Sequence, residues 1–281
     1  MYQGQSPQNP IKPMTIGNVV STAIALYRSH LKTYFQLALL ASVWFIVPIY
    51  GWAKYFAISG MISRLAFKEL INQPESVSDA TESLKPRLWS FLRVALEVSI
   101  FLFLIYIGLV FIGSIAAMMI GGILGLILGA VFNNPVLTGV LFVILAIAGI
   151  VGFIFAITWF ISRWIIAEVP LSIEEINGKQ SIQRSWNLTK SSVIRIRGVV
   201  IIAFLVTLPM IILTGYAPQI FLISIEEGSS LYWLVYLISF GLSVVGGAFL
   251  MPFWQTTKAV LYYDLRSRRE GLDLQLRDRP I

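Results

Sequence analysis

VALEVSIFLFLIYIGLVFIGSIAAMMIGGILGLILGAVF, residues 94–132, is apolar almost throughout and carries one charged side chain, Glu97. A single helix over this stretch would reach about 60 Å at 1.5 Å per residue, twice the hydrocarbon thickness of a bilayer. The stretch therefore predicts membrane-spanning helix that either tilts steeply or breaks. Gly113 and Ser114 offer a place for a break, which gives two spans, 94–113 and 115–132.

Outward from there, Asn133-Asn134-Pro135 reads as a tight turn into a further apolar run, 136–161. Runs at 199–218 and 231–254 follow, separated by a loop with Glu226 and Glu227, and upstream 34–56 is long enough to cross once. Pro48 should kink that first span. The expectation is an all-α fold, a polytopic transmembrane helical bundle of about six spans with interfacial amphipathic helices beside it. It divides into a flexible tail over 1–13, one helical membrane domain over 14–264 and a basic cytoplasmic tail over 265–281.

Composition agrees. Of 281 residues, 57% are hydrophobic and only 12% charged, against about 25% charged in soluble domains. There is no cysteine and one histidine, His30, which removes disulfide frameworks, thiolate nucleophiles and Cys/His zinc sites and leaves a Ser-His-Asp triad without support. No catalytic, cofactor-binding or metal-binding residue is assigned, and no cofactor is expected. The net charge of +7 sits beside apolar runs, where Lys and Arg hold loops on the cytoplasmic side, so it marks topology rather than nucleic acid. Residues 1–13 are polar and the first long apolar stretch begins near Thr33, so no cleavable signal peptide is expected.

Two segments have the pattern of surface helices. Over 14–30, Ile16, Val19, Val20, Ala23, Ile24 and Tyr27 recur at helical spacing away from Asn18, Ser21, Thr22 and Arg28. Beyond the Asn177-Gly178 turn, Ile182, Trp186 and Val193 share one face and Arg184, Asn187, Ser191 and Arg195 the other. Trp186 is expected at headgroup level, with Arg184, Lys190 and Arg195 facing water or phosphate. After the last span, Tyr262 and Tyr263 precede Arg266, Arg268 and Arg269, a helix end anchored by aromatic and basic groups. These side chains are the candidate contacts to anionic headgroups or a protein partner.

Basic residues in 163–197 and from Lys258 onward place both regions in the cytoplasm, and six spans then put both termini there. The same count puts 59–93 outside although it contains Arg64, Lys68, Lys85 and Arg87, a conflict with the positive-inside rule. Small residues recur every four positions at Ala117, Gly121, Gly125 and Gly129, again at Ala148, Gly152 and Ala156, and at Ser239, Ser243 and Gly247. Such stripes let helices approach closely within a bundle, with a pore or a homodimer face as the alternative. Lys54, Glu97, Arg163 and Glu168 are the candidate intramembrane or edge charges.

The segment Gln183-Arg184-Ser185-Trp186-Asn187-Leu188-Thr189-Lys190, preceded by Glu168-Val169-Pro170, and the ending Tyr262-Tyr263-Asp264-Leu265-Arg266 with Arg269-Glu270-Gly271, carry a family likeness. The chain resembles the bacterial membrane-domain family named after glycerophosphoryl diester phosphodiesterases, and the related YciC-like membrane proteins. The resemblance implies a bundle of about six spans in the bacterial cytoplasmic membrane. It extends to the membrane part alone, and with His30 solitary no phosphodiesterase activity is carried over. Three functions are open: a non-enzymatic module that organises lipids, a partner or a second copy; a small transporter or channel using the proline-containing spans at Pro48, Pro209 and Pro252; and a lipid enzyme using Glu168, Glu174 or Glu175 as acid or base. The first is expected.

Overall fold

The computed structural model describes residues 14–132 and 135–272, without the side chains of 128–132. The expected tail over 1–13, the Asn133-Asn134 turn, the surroundings of Gly129 and the basic tail beyond 272 lie outside the described residues. Among the described residues the fold is all helical: α1 (Ile16–Ser29), α2 (Leu31–Phe45), α3 (Tyr50–Leu70), α4 (Val77–Leu84), a 3-10 turn (Lys85–Arg87), α5 (Leu88–Phe132), α6 (Pro135–Trp164), α7 (Glu168–Ile173), α8 (Gly178–Thr189), α9 (Val193–Ile211), a π turn (Ile212–Tyr216), α10 (Ala217–Ile223) and α11 (Ser230–Glu270). Among the described residues four stretches are long and apolar enough to cross a membrane: Val77–Ile127, Pro135–Ile173, Val193–Ile223 and Ser230–Glu270.

This differs from the expected six spans in two places. Residues 34–56 do not form one kinked helix. The chain leaves α2 after Phe45, turns with Ile49 at a φ of 61°, and folds back as α3 against α2. Pro48 brings no backbone donor to continue the ladder, and Gly51 lets the returning backbone approach, since a Cβ there would lie 1.9 Å from the Trp44 carbonyl oxygen. The second difference is that α5 runs unbroken through Gly113 and Ser114, 45 residues in all. Neither residue removes a backbone donor, and Ser114 Oγ donates to the Phe111 carbonyl at 2.8 Å within the helix. Without water to take over broken backbone bonds, the ladder persists; at about 68 Å the helix must tilt or overrun the hydrocarbon layer.

The described residues form two compact units, one up to Ala95 and from Ile165, the other Leu96–Trp164. In the second unit, α5 and α6 pair along their small residues. Phe142 lies against Gly121 and Gly125, 3.3 and 3.5 Å from where a Cβ would stand. Tyr106 meets Phe153 and Phe101 stacks on Trp164. An apolar cavity of about 670 Å³ lies along the same seam, beside Gly113, Ala117, Phe142, Ala146 and Gly149.

The first unit is built on α3 and α11, with α1 and α2 packed alongside. Thr15 caps α1 by accepting from the Asn18 amide, and Val19, Val20 and Ala23 bury the apolar stripe legible in the sequence. Ile62, Leu261, Tyr262 and Leu265 form the centre, Phe67 meets Tyr262 at 5.6 Å, and Gly60 makes room for Phe91. Farther along α11, Gly246 rather than Gly247 is the close-approach residue: a Cβ on it would meet Thr214 Oγ1 at 2.3 Å. Ser243 Oγ donates to the Thr214 carbonyl at 3.0 Å. That carbonyl lies in the π turn just past Pro209, where the helical ladder is already disturbed.

Candidate functional site: a polar network in the first unit

Three polar segments far apart in sequence meet here. Deepest is an amide held between two hydroxyls. Ser63 Oγ donates to Gln255 Oε1 at 2.7 Å, and Gln255 Nε2 donates to Ser59 Oγ, all three side chains being buried. Thr256 and Thr257 turn their hydroxyls back to the Phe253 carbonyl in their own helix. Buried polar groups are tolerated because each has a partner.

Next come two guanidinium groups that grip the end of α7. Arg64 pairs in fork geometry with Glu75, at 2.7 and 2.9 Å, and its third arm donates to the Ser172 carbonyl at 2.7 Å. Arg87 donates to the carbonyls of Leu171 and Glu174. Cationic donors suit the carbonyl end of a helix, so α7 ends on α3 and on the turn before α5. Lys258 Nζ closes the other side on Glu168 at 2.6 Å.

Glu174 is the hub of a third layer. It accepts from Arg184 at 3.0 Å and from the Tyr262 hydroxyl, with Arg266 at 3.6 Å. Arg184 also donates to Glu270 at 2.8 Å, and Arg266 reaches the same carboxylate at 3.1 Å. Burial alone would lower the pKa of Arg184, but its hydrogen bonds to Glu270 and Glu174 outweigh this and raise it. The last layer centres on Asp264, 1% exposed, which accepts from Arg195, Arg268 and the Met14 amide at 2.9, 3.1 and 3.1 Å.

Of the arginines read as lipid contacts, Arg184, Arg195 and Arg266 are partly buried and hold carboxylates of the same chain, and Arg268 holds Asp264 from an exposed position. Arg269 donates to the Asn187 carbonyl and to Ser191 Oγ from an exposed position, and Lys190 is exposed. The face of α8 that packs against the protein is its short hydroxyl face. Ser181, Ser185, Leu188 and Thr189 are buried, while Ile182 and Trp186 are half-exposed. Short hydroxyl residues permit close packing, and Ser181 Oγ satisfies itself on the Ala167 carbonyl. Val193 and Arg195 belong to α9 instead.

Lys54 Nζ stands over the Trp44 ring, 4.1 Å from its centroid, and Glu168 holds Lys258. In the second unit Arg163 is buried against the face of Trp159, 4.6 Å away, and half-buried Glu97 has no ion pair among the described residues. His30 stacks on Tyr34 and shares a hydrogen bond with Ser29. No group of three or more potential metal ligands exists among the described residues.

Asp264 and Glu270 escaped the sequence reading as functional residues. Their signal was present in the helical spacing, Asp264 four before Arg268 and Arg266 four before Glu270. Comparison with family models, curated proteins and solved structures finds no match for this chain.

Proposed function

We propose that the protein is a non-enzymatic integral membrane module that holds anionic lipid headgroups around a rigid polar face. The observation that carries this reading is the division of labour among the basic side chains. One set is consumed by carboxylates of the same chain, whereas Lys85, Lys179 and Lys190 stand exposed with no ion pair among the described residues. Paired arginines stiffen the face, and free ammonium groups attract phosphate. Glu168 and Glu174, weighed as acid or base groups, are engaged with Lys258, Arg184 and Tyr262, which favours a structural role for them.

In place of six crossings we propose four, made by α5, α6, α9 with α10, and α11. With four, residues 59–93 and 165–192 and the end of α11 share one side, taken as the cytoplasmic side of a bacterial inner membrane. The contacts of Arg64 and Arg87 with 171–174 support this, and the conflict over the basic residues in 59–93 disappears. Kinship with the phosphodiesterase-associated membrane domains is compatible with this arrangement and extends to the membrane part alone.

The test is the phospholipid that stays bound through purification from a membrane containing phosphatidylglycerol. Lys85→Gln, Lys179→Gln and Lys190→Gln combined should deplete the anionic lipid retained and leave zwitterionic lipid unchanged. An unaltered ratio defeats the proposal.

A further inference from the structure

The helical pair α2–α3 ends in a tip whose exposure has no explanation in water. Phe45, Ile46, Val47, Ile49, Tyr50 and Trp52 are all exposed there, Ile46 to 77%. Yet part of the turn's backbone is bonded within itself. The amides of Ile46, Val47 and Tyr50 donate to the carbonyls of Val43, Trp44 and Pro48, and the Trp52 indole donates to the Phe45 carbonyl at 3.1 Å. Pro48 has no amide to satisfy. A turn with apolar side chains outside and these donors, with the indole, already used inside favours hydrocarbon over water.

The tip also carries one charge, and that charge is provided for. Lys54 Nζ lies 4.1 Å from the centroid of Trp44 and 5.4 Å from that of Tyr50, a pair of ring faces that replaces part of its hydration. Length agrees as well. From Ser59, which is in the polar network, back to the tip at Tyr50 the helix rises about 14 Å, close to half of a hydrocarbon core of about 30 Å. Neither α2 nor α3 is among the helices long and apolar enough to cross.

We infer that α2–α3 is a re-entrant wedge that enters and leaves the bilayer on the side of the polar network, its tip occupied by the acyl chains of that one leaflet. This rests on the polar network facing a single side, as in the four-crossing arrangement. The wedge widens the chain region of one leaflet without spanning it, while Lys54 stays below the surface against its aromatic neighbours.

The chain has no cysteine, so single-cysteine variants need no other change. Lys32→Cys and Ser78→Cys flank the wedge and Val47→Cys marks its tip; Gln183→Cys and Glu227→Cys report separately on the crossing by α9 with α10. Sealed vesicles of both orientations are treated with a membrane-impermeant maleimide. The Lys32 and Ser78 variants should react from the same side, and the Val47 variant from neither until detergent is added. A fluorophore placed through Val47→Cys in phosphatidylcholine–phosphatidylglycerol vesicles should be quenched more by nitroxides deep on the acyl chain than by nitroxides at the headgroup. Reaction of the Lys32 and Ser78 variants from opposite sides overturns the wedge in favour of a crossing. So does aqueous labelling of the Val47 variant, or protection there without quenching by chain-borne nitroxides, which would mean that protein covers the tip. If the Gln183 and Glu227 variants react from the same side, the four-crossing arrangement fails, whereas the wedge stands or falls on the Lys32, Ser78 and Val47 variants.

Discussion

Arg195 and Asp264 are 69 positions apart in sequence and 2.9 Å apart in the fold, joining the first turn of α9 to α11. The carboxylate is 1% exposed and the guanidinium 19%. Removing the acid leaves a partly buried cation without its counter-charge, which costs more than the pair itself contributes. Asp264→Asn should lower stability by about 3 kcal/mol, at the low end of the range for broken buried pairs because Arg195 retains some solvent. Unfolding in mixed detergent with increasing dodecyl sulfate measures it; a loss comparable to that of an exposed pair would contradict the account.

Gly246 and Gly247 provide a contrast within one helix. A methyl at Gly246 meets Thr214 Cβ at 2.6 Å, whereas one at Gly247 has nothing within 4 Å. Gly246→Ala should destabilise by about 1–3 kcal/mol through overpacking, and Gly247→Ala should be neutral or gain a few tenths through helix propensity. Thermal inactivation of the two purified variants decides it, and equal effects would show that the close approach does not exist in solution.

Much of this fold is legible in the sequence, and what is not has a physical cause. The stripe Val19, Val20 and Ala23 lies on the buried face of α1 because hydrophobic spacing is local information. Gly121 and Gly125 lie against the Phe142 ring, a side-chain neighbour that the spacing of small residues does not specify. The long-range part of the polar network was hidden because its bonds join distant positions, 69 apart for Arg195 with Asp264 and 250 apart for Met14 with Asp264, and a lone arginine beside an apolar run reads equally well as a lipid anchor. Apolar length also misleads at 34–56, where the loss of one donor at Pro48 and the close approach at Gly51 turn a kink into a reversal. On α8 the usual rule is reversed, since Ser181 and Ser185 go inside by virtue of size.

Gln255 binds Ser59 and Ser63 together, so deleting its amide strands the Ser59 hydroxyl and leaves the Ser63 hydroxyl only the Gln255 carbonyl, at 3.2 Å. Gln255→Leu should cost about 2 kcal/mol. Adding Ser59→Ala and Ser63→Ala should recover part of that loss, since an all-apolar cluster has no unmet hydrogen bonds. Denaturation of the single and triple variants tests the sign; a triple variant less stable than Gln255→Leu would refute the pairing.

Arg184 permits a statement about alkaline pH. Its pKa is raised in the fold because bonds to Glu270 and Glu174 outweigh burial. A raised cationic pKa contributes stability that is complete below the unfolded value and disappears only as pH rises through the folded one. For arginine that lies above about pH 12, whereas the unfolded value of lysine is about 10.4. The stability difference between wild type and Arg184→Lys should therefore be constant from neutral pH to about 9 and widen as pH climbs past about 10. Parallel melting curves over that interval give the answer, and a difference that stays constant throughout would contradict it.

The Met14 amide donates to Asp264 across 250 positions of chain, and Arg268 donates to the Met14 carbonyl from the same helix. A ribosome delivers those ends in order, so the N-terminal residue of this clasp leaves the exit tunnel long before its acceptor has been made. Nascent chains that include Arg195 but not yet Asp264 therefore hold the guanidinium without its carboxylate. Completion of α11 is the event that locks the first unit, and a chain released before Asp264 should be recognisable to membrane proteases by its loose end. Stalled chains of increasing length, probed by limited proteolysis, should become resistant abruptly once residues 264–268 have emerged.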